Sequence, residues 1–332
     1  MREPGFWWDD PGIASALLTP FGALYGRAAA SRMRRAGLRA DVPVICIGNF
    51  TLGGTGKTPA AVAVAELLQR EGRKPALLTR GYGGSMSGPV VVEPRQHTAA
   101  DVGDEALLLT QAGLTIVSRD RPAGARVAQA RGGDVIVMDD GLQNPSLAKD
   151  LTIALLDARR GIGNSRVFPA GPLRAPLDVQ LDQCNAVLVV GDGNKADAVA
   201  TKAQQRGRTV FHGALQPDEA AVAALSARPV LAFAGIGDPE KFFATLQAAG
   251  AEVKTIRAFA DHHRFTAEEA GDLIMRAEHD GLRLVTTAKD HARMTGDPAL
   301  AALAERAYVL PVRMKVKESE AWQAMLLGAL KR

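Results

Sequence analysis

The chain has little cysteine. Cys46 and Cys184 are the only two in 332 residues, and Cys46 falls inside an expected strand, so neither a disulfide framework nor a cysteine zinc site is expected and a reducing cytosol fits. The chain also lacks an uninterrupted apolar run of the roughly 20 residues that a bilayer span needs. The N-terminus does not have the form of a secretory leader, because Asp9 and Asp10 precede the apolar part and no unbroken hydrophobic core follows. Internal repeats and low-complexity tracts are missing as well. Acidic residues are absent from 11–40, where Arg27, Arg32, Arg34, Arg35 and Arg39 fall together. Basic residues exceed acidic ones by only four overall, so this local excess is what asks for an anionic partner.

What is present is an ordinary folding composition, 47% hydrophobic and 23% charged, in a chain long enough for two domains. Near the start, Ile13, Leu17, Leu18, Phe21, Leu24 and Tyr25 recur at helical spacing, interrupted by Pro20 and Gly22. Trp7 and Trp8 precede this stripe and the arginine cluster follows it. That makeup suits an amphipathic helix lying on an anionic membrane. It equally suits a helix packed on its own domain, and the spacing alone leaves both open.

The strongest local signal begins at Val44. An apolar run feeds Gly48-Asn49-Phe50-Thr51-Leu52-Gly53-Gly54-Thr55-Gly56-Lys57-Thr58, the form of a loop that holds a nucleoside triphosphate. Glycines let successive backbone N–H groups point into one concavity, Lys57 can reach the β- and γ-phosphates, and the Thr58 hydroxyl is placed to ligate Mg²⁺. Thr51 stands where the strict GxxxxGK[ST] pattern has its first glycine. Thr51, Gly53, Gly54, Thr55, Gly56, Lys57 and Thr58 are therefore the expected triphosphate-binding set.

Downstream, short β-branched runs at 44–47, 76–79, 90–92, 115–117, 135–138 and 152–156 alternate with alanine- and leucine-rich helical stretches after the glycine loop, Asp104 and Pro122. This alternation predicts a P-loop NTPase-type α/β domain with a parallel sheet. Ligands in such sheets bind outside the carboxyl ends of the strands, which makes Arg80, Asp139 and Asp140 site candidates. Further strands are expected at 186–190, 209–212, 229–234, 284–287 and 308–312, with helices at 239–249 and 267–279. These suggest a second, smaller α/β domain. Between the two series, 159–176 holds six glycines and prolines, too many for a continuous helix. The expected division is 1–40 as a membrane-interface helix, 41–160 as the nucleotide domain, 161–176 as a hinge and 177–332 as a C-terminal domain closing over the cleft.

Three carboxylate groupings could carry chemistry. The strand 135–138 ends in Asp139-Asp140, and in nucleoside triphosphatases a carboxylate there holds the Mg²⁺ bound by the loop threonine. Asp101, Asp104 and Glu105 precede an apolar helical run, where capping is the plain alternative. Asp261-His262-His263 could form a base, a metal site or a surface turn. Asn194-Lys195-Ala196-Asp197 matches the guanine-reading NKxD, but the tetrapeptide from Asp139 ends in Leu142 rather than the glycine of DxxG. Leu52 likewise stands where partitioning ATPases carry their signature lysine.

Together the segments 48–59, 79–84, 101–109, 139–144, 163–176, 261–265 and 287–290 resemble the tetraacyldisaccharide 4'-kinase family, over nearly the whole chain. Thr51 is usual there. Two departures are Asn144, where histidine is common, and Ala175, where glutamate is. The resemblance implies transfer of the γ-phosphate of ATP, with Mg²⁺, onto the 4'-hydroxyl of a tetraacylated glucosamine disaccharide 1-phosphate at the cytoplasmic face of the inner membrane. The enzyme would sit there as a peripheral, monotopic protein. It also implies Asp104 as base aided by His262, with Lys57, Thr58 and Asp139 or Asp140 on the triphosphate side. Arg174 and Arg121 are candidates for contacting substrate or phosphate, while Arg80 and Tyr82 shape the cleft. The expected partners are the lipid A disaccharide 1-phosphate precursor and an anionic membrane surface, with no nucleic acid and no obligate protein partner. The competing class is a membrane-associated P-loop ATPase switch acting on a protein.

Overall fold

A computed structural model describes residues 3–225 and 228–331. The first helix, α1 (Ile13–Met33), runs through Pro20 and Gly22 without a break. Pro20 lies on the exposed face, while Gly22 is pressed against the chain: a Cβ there would meet the Val167 carbonyl oxygen at 2.7 Å. Small residues, Ser15, Gly22, Gly26, Ala29 and Ala30, form the packed face. The large apolar side chains point away from it, with Ile13 81%, Leu17 71%, Phe21 63% and Leu24 69% exposed. Among the described residues no helix is long and apolar enough to cross a membrane.

Then follow β1 (Val44–Asn49), α2 (Lys57–Arg70), β2 (Pro75–Thr79), β3 (Val90–Val91), α3 (Ala99–Val102), α4 (Asp104–Leu109), β4 (Thr115–Val117), α5 (Arg121–Ala130), β5 (Val135–Asp139) and β6 (Leu151–Asp157). After a crossover come α6 (Leu177–Asp182), β7 (Ala186–Val190), α7 (Asp197–Gln205) and β8 (Thr209–Pro217). Strand β1 lies at the centre of a nine-stranded sheet, between β6 and β5, both parallel to it. Its six residues are all buried, as a strand covered on both faces requires, hence the unbroken apolar run. Helix α2 lays Ala60, Ala61, Val64, Ala65 and Leu68 on Ile45, Ile47, Val137 and Ile153. Truncating Leu68 to alanine would cost about 2–5 kcal/mol in lost transfer energy and cavity.

The second unit holds α8 (Glu219–Leu225), β9 (Val230–Ala234), α9 (Pro239–Ala248), β10 (Val253–Ala258), α10 (Ala267–His279), β11 (Arg283–Thr286), α11 (Ala288–Met294), α12 (Ala301–Arg306) and β12 (Tyr308–Val309). Its strands form a separate parallel sheet in the order β10-β9-β11-β12. The chain then returns, as β13 (Val312–Val316) pairs antiparallel with β8 and α13 (Ser319–Gly328) packs Trp322 and Leu326 on the α2 side of the large sheet.

This topology corrects the expected division at 161–176. Strands 186–190 and 209–217 belong to the large sheet, with Ile153 paired to Ala186 and Asp157 to Val190. The breaker-rich segment is a partly buried crossover between neighbouring strands of one sheet. An alternation of strands and helices reveals βαβ units but not which sheet each strand joins. The two units are instead linked where β8 leaves and β13 returns, and there the Asp218 N–H donates to the Pro311 carbonyl at 3.0 Å.

Candidate active site

The glycine loop lies at the carboxyl end of β1. Gly53 and Gly56 take positive φ, 98° and 85°, the left-handed conformation that glycine adopts without steric cost. The loop is tied down from behind: Leu52 N–H donates to the Pro172 carbonyl at 2.8 Å and Arg174 Nε to the Thr51 carbonyl at 2.9 Å. Lys57 and Thr58 open α2, and both are buried. Burial pushes the Lys57 ammonium down, against the pull of Asp140, whose Oδ1 is 3.7 Å away.

The two aspartates ending β5 have different environments. Thr58 Oγ1 donates to Asp139 Oδ2 at 3.2 Å, a contact brought within reach because β1 and β5 are neighbours in the sheet, with Ile47 opposite Asp139. Asp139 is fully buried and its Oδ1 finds no partner. Burial, and then Glu105, push its carboxyl up to about 7. Asp140, held at φ 55°, accepts from Arg174 Nη1 at 3.0 and 3.1 Å. Burial opposes its ionisation, but Arg174 and Lys57 outweigh that and hold it well below the carboxylate range. An orphaned hard oxygen on Asp139 beside the Thr58 hydroxyl suits Mg²⁺. Among the described residues no group of three or more His, Cys, Asp or Glu side chains could hold a metal ion; a Mg²⁺ here would draw its other ligands from phosphate and water.

Asp104 lies at the start of α4, 3% exposed. From the second unit, His262 Nδ1 comes within 3.7 Å of its Oδ2, with the backbone of His262 at φ 56°. Burial works against the Asp104 charge, yet Lys289, Arg293 and His262 more than offset it and keep the carboxyl below its ordinary value. His263 turns the other way: its Nε2 lies 2.9 Å from Glu269 and its ring stacks on Phe259. Asp101 is a cap, since Thr98 and Asp101 form a capping box on α3.

The four expected substrate contacts separate. Tyr82 is exposed, with its ring 4.9 Å from that of His262, and Arg80 is exposed at the end of β2. Arg174 joins the glycine loop to Asp140. Arg121 is corrected: it is 2% exposed and donates to the Ser118 carbonyl, behind Asp139 and Asp140, too deep to touch a lipid. Its place at the first turn of α5, after the edge of β4, could not be told from an open cleft position by sequence. Ala175 is buried, and its carbonyl accepts from Gln180 Nε2 at 2.7 Å.

Sequence reasoning missed α11. Lys289 Nζ pairs with Glu105 at 2.7 Å and Arg293 Nε with Asp104 at 2.7 Å, so two ion pairs join the units at the start of α4. The segment 287–290 had been singled out, but nothing local marks Arg293, one turn further along. The second unit also approaches the phosphate loop itself, where a Cβ on Gly237 would lie 3.3 Å from the Gly54 nitrogen. A cavity of about 350 Å³, lined by Tyr82, Thr98, Asp104, His262, Arg264 and Arg293, opens between the units. A groove of about 590 Å³ runs along α1, with Arg27, Arg34 and Arg166 on its walls.

Comparison with known proteins bears on this arrangement. The profile of the family described as Tetraacyldisaccharide-1-P 4'-kinase matches residues 14–331. A tetraacyldisaccharide 4'-kinase of Methylobacterium sp. (strain 4-46) is 55% identical over 322 residues, 97% of this chain and 95% of that one. One from Nitrobacter winogradskyi is 50% identical over 330 residues, 99% and 98%. Among solved structures, the LpxK of Aquifex aeolicus in complex with ATP superposes with a TM-score of 0.74 at 25% identity, covering 96% of this chain and 100% of that one.

Proposed function

Because the chain belongs to the tetraacyldisaccharide 4'-kinase family, we propose how its own residues carry out the reaction. The enzyme transfers the γ-phosphate of ATP to the 4'-hydroxyl of tetraacyldisaccharide 1-phosphate, giving lipid IVA in lipid A biosynthesis. In our reading the amides of Gly53, Gly54, Thr55 and Gly56 cradle the triphosphate, and Lys57 spans its β- and γ-phosphates. Thr58 and Asp139 would hold Mg²⁺, which when bound supplies charge neutralisation on the β- and γ-oxygens. Asp140 locks Lys57 and Arg174 in place.

Asp104 takes the proton of the 4'-hydroxyl as its oxygen bonds to the γ-phosphorus, while the bond from that phosphorus to the β–γ bridging oxygen breaks and ADP leaves. His262 stabilises or relays the proton that Asp104 accepts. The observation that carries this reading is a buried carboxylate and an imidazole from the two units on one cavity, with the second unit also reaching the phosphate loop at Gly237. The exposed apolar stripe of α1 and the exposed arginines after it would rest at the anionic cytoplasmic face of the inner membrane, where a tetraacylated substrate resides. Closure of the second unit about the paired crossings at 218 and 311 would assemble Asp104 and His262.

The test is incubation with γ-labelled ATP and the disaccharide 1-phosphate in mixed micelles. Label is expected in a bisphosphorylated lipid, and Asp104→Asn should lose roughly 10²-fold in kcat or more with ATP binding retained. Near-native kcat would remove Asp104 as base, and label released only as inorganic phosphate would point to a hydrolytic switch.

A further inference from the structure

We infer that Arg293 is a positioning residue for phosphoryl transfer: reaching over from the second unit, its guanidinium pins one oxygen of Asp104 and leaves the other available to the acceptor hydroxyl, on the reading of Asp104 as the base. Arg293 Nε donates to Asp104 Oδ2 at 2.7 Å, and Nη2 lies 2.5 Å from the same oxygen. The side chains are 7% and 3% exposed, so little water competes. The far end of the guanidinium is fixed as well. Nη1 donates to the Gly235 carbonyl at 2.6 Å and to Asp290 Oδ1 at 2.9 Å. Asp290 in turn accepts the Gly235 N–H at 3.1 Å and the Thr287 hydroxyl at 2.6 Å. Arg293 is therefore anchored by the end of β9 and by the first turn of α11.

The acceptor sites of the carboxylate can be counted. An ionised aspartate offers about four. On Oδ2 the hydrogen bond comes from Arg293 Nε, with Nη2 close to the same oxygen but making no hydrogen bond and His262 Nδ1 3.7 Å away, while Oδ1 takes the Glu105 N–H at 2.9 Å. One site on Oδ1 remains, on a residue that lines the interdomain cavity together with Arg293 itself. The neighbouring pair Lys289 to Glu105 also bridges the units, but neither residue lines that cavity. Structural docking accounts for Lys289; it does not account for a buried guanidinium hydrogen-bonded to the reactive carboxylate and anchored at its far end. Because Arg293 belongs to the second unit, Asp104 acquires its fixed orientation only when the units are together. The charged groups facing Asp104 are Arg293, Lys289 and Asp290 from α11, His262 from the loop after β10, and Glu105 beside it.

The experiment is a double-mutant cycle on the full chain, with Arg293→Met, Asp104→Asn and both together, each followed by kcat, KM for ATP and a pH profile. Arg293→Met should lower kcat roughly 30-fold or more with KM for ATP within about threefold, and should move the acid limb of the kcat profile to higher pH. In the Asp104→Asn background the same change should cost less than about twofold, because both act through one group. Arg293→Lys keeps the charge but not the fork, so it should recover part of kcat. It carries the same cycle if Arg293→Met does not fold. An equal fall in both backgrounds, or kcat within twofold of native, would overturn the inference while leaving Asp104 as base. Full activity of Asp104→Asn would overturn both.

Discussion

His262 Nδ1 stands 3.7 Å from Asp104 Oδ2 although the two residues belong to units built on different sheets. The left-handed backbone at His262 turns its ring into the cleft, and His263 is held by Glu269 and Phe259 on the other side. His262→Ala should therefore lower kcat by roughly 10- to 100-fold with an unchanged thermal midpoint. His263→Ala should leave kcat within a few-fold. Its half-exposed ion pair and ring stack are together worth about 1 kcal/mol, so stability is what should fall. Parallel assays and melts of the two variants check this, and the reverse pattern would exchange their roles.

Asp139 gives a pH signature. Its carboxyl, pushed up to about 7 by burial and by Glu105, is compared with an unfolded value of about 3.9. Between these values the folded protein binds more protons than the unfolded chain, so this group makes stability fall as pH rises through that window. Asp139→Asn should flatten that fall, melting higher than the native protein at pH 8 without nucleotide, while losing transfer. Melts from pH 5 to 8 that run parallel for the two proteins would contradict it.

The outward face of α1 should set membrane affinity. Four large apolar side chains there would each gain roughly 1.5–3 kcal/mol if fully withdrawn from water. Each nearby arginine adds about 1 kcal/mol at an anionic surface. Leu17→Glu with Phe21→Glu should cut co-sedimentation with phosphatidylglycerol vesicles at least ~10-fold. Salt should weaken native binding but not abolish it. Unchanged sedimentation of the double variant would remove α1 as the contact.

The inward face of α1 should tolerate change at one glycine and not at another. Gly22→Val places a Cβ 2.7 Å from the Val167 carbonyl oxygen, an overpacking that costs about 1–3 kcal/mol. At Gly26 the nearest atoms, on Pro176 and Val167, are 3.5 Å away. Gly26→Ala should be neutral or stabilising, given alanine's helix propensity. Thermal unfolding of both variants decides.

Much of the nucleotide site was legible because it is local. Lys57 and Thr58 open the helix after the loop that leaves β1, Asp139 ends β5, both strands read as apolar runs, and their parallel pairing carries the two together. The partners of Asp104 were only half legible. His262 lies in a segment with a recognisable composition, whereas Arg293 is one of many arginines and matters only because α11 docks on α4. Pro20 and Gly22 read as breaks in α1. In fact the proline faces outward and the glycine is required where the helix presses on backbone. The domain boundary was misread for a related reason, since glycine and proline mark any tight irregular path, including a crossover inside one sheet.

The return of β13 to the large sheet has a consequence for biogenesis. During synthesis β8 waits, with one edge unpaired, while the whole of the second unit emerges, because its partner 312–316 is made afterwards. An open strand edge invites pairing with foreign chains. Damage near 312–328 should therefore reach the ATP side first, through Trp322 against Phe211 and the packing under α2, and leave the distant second sheet able to form.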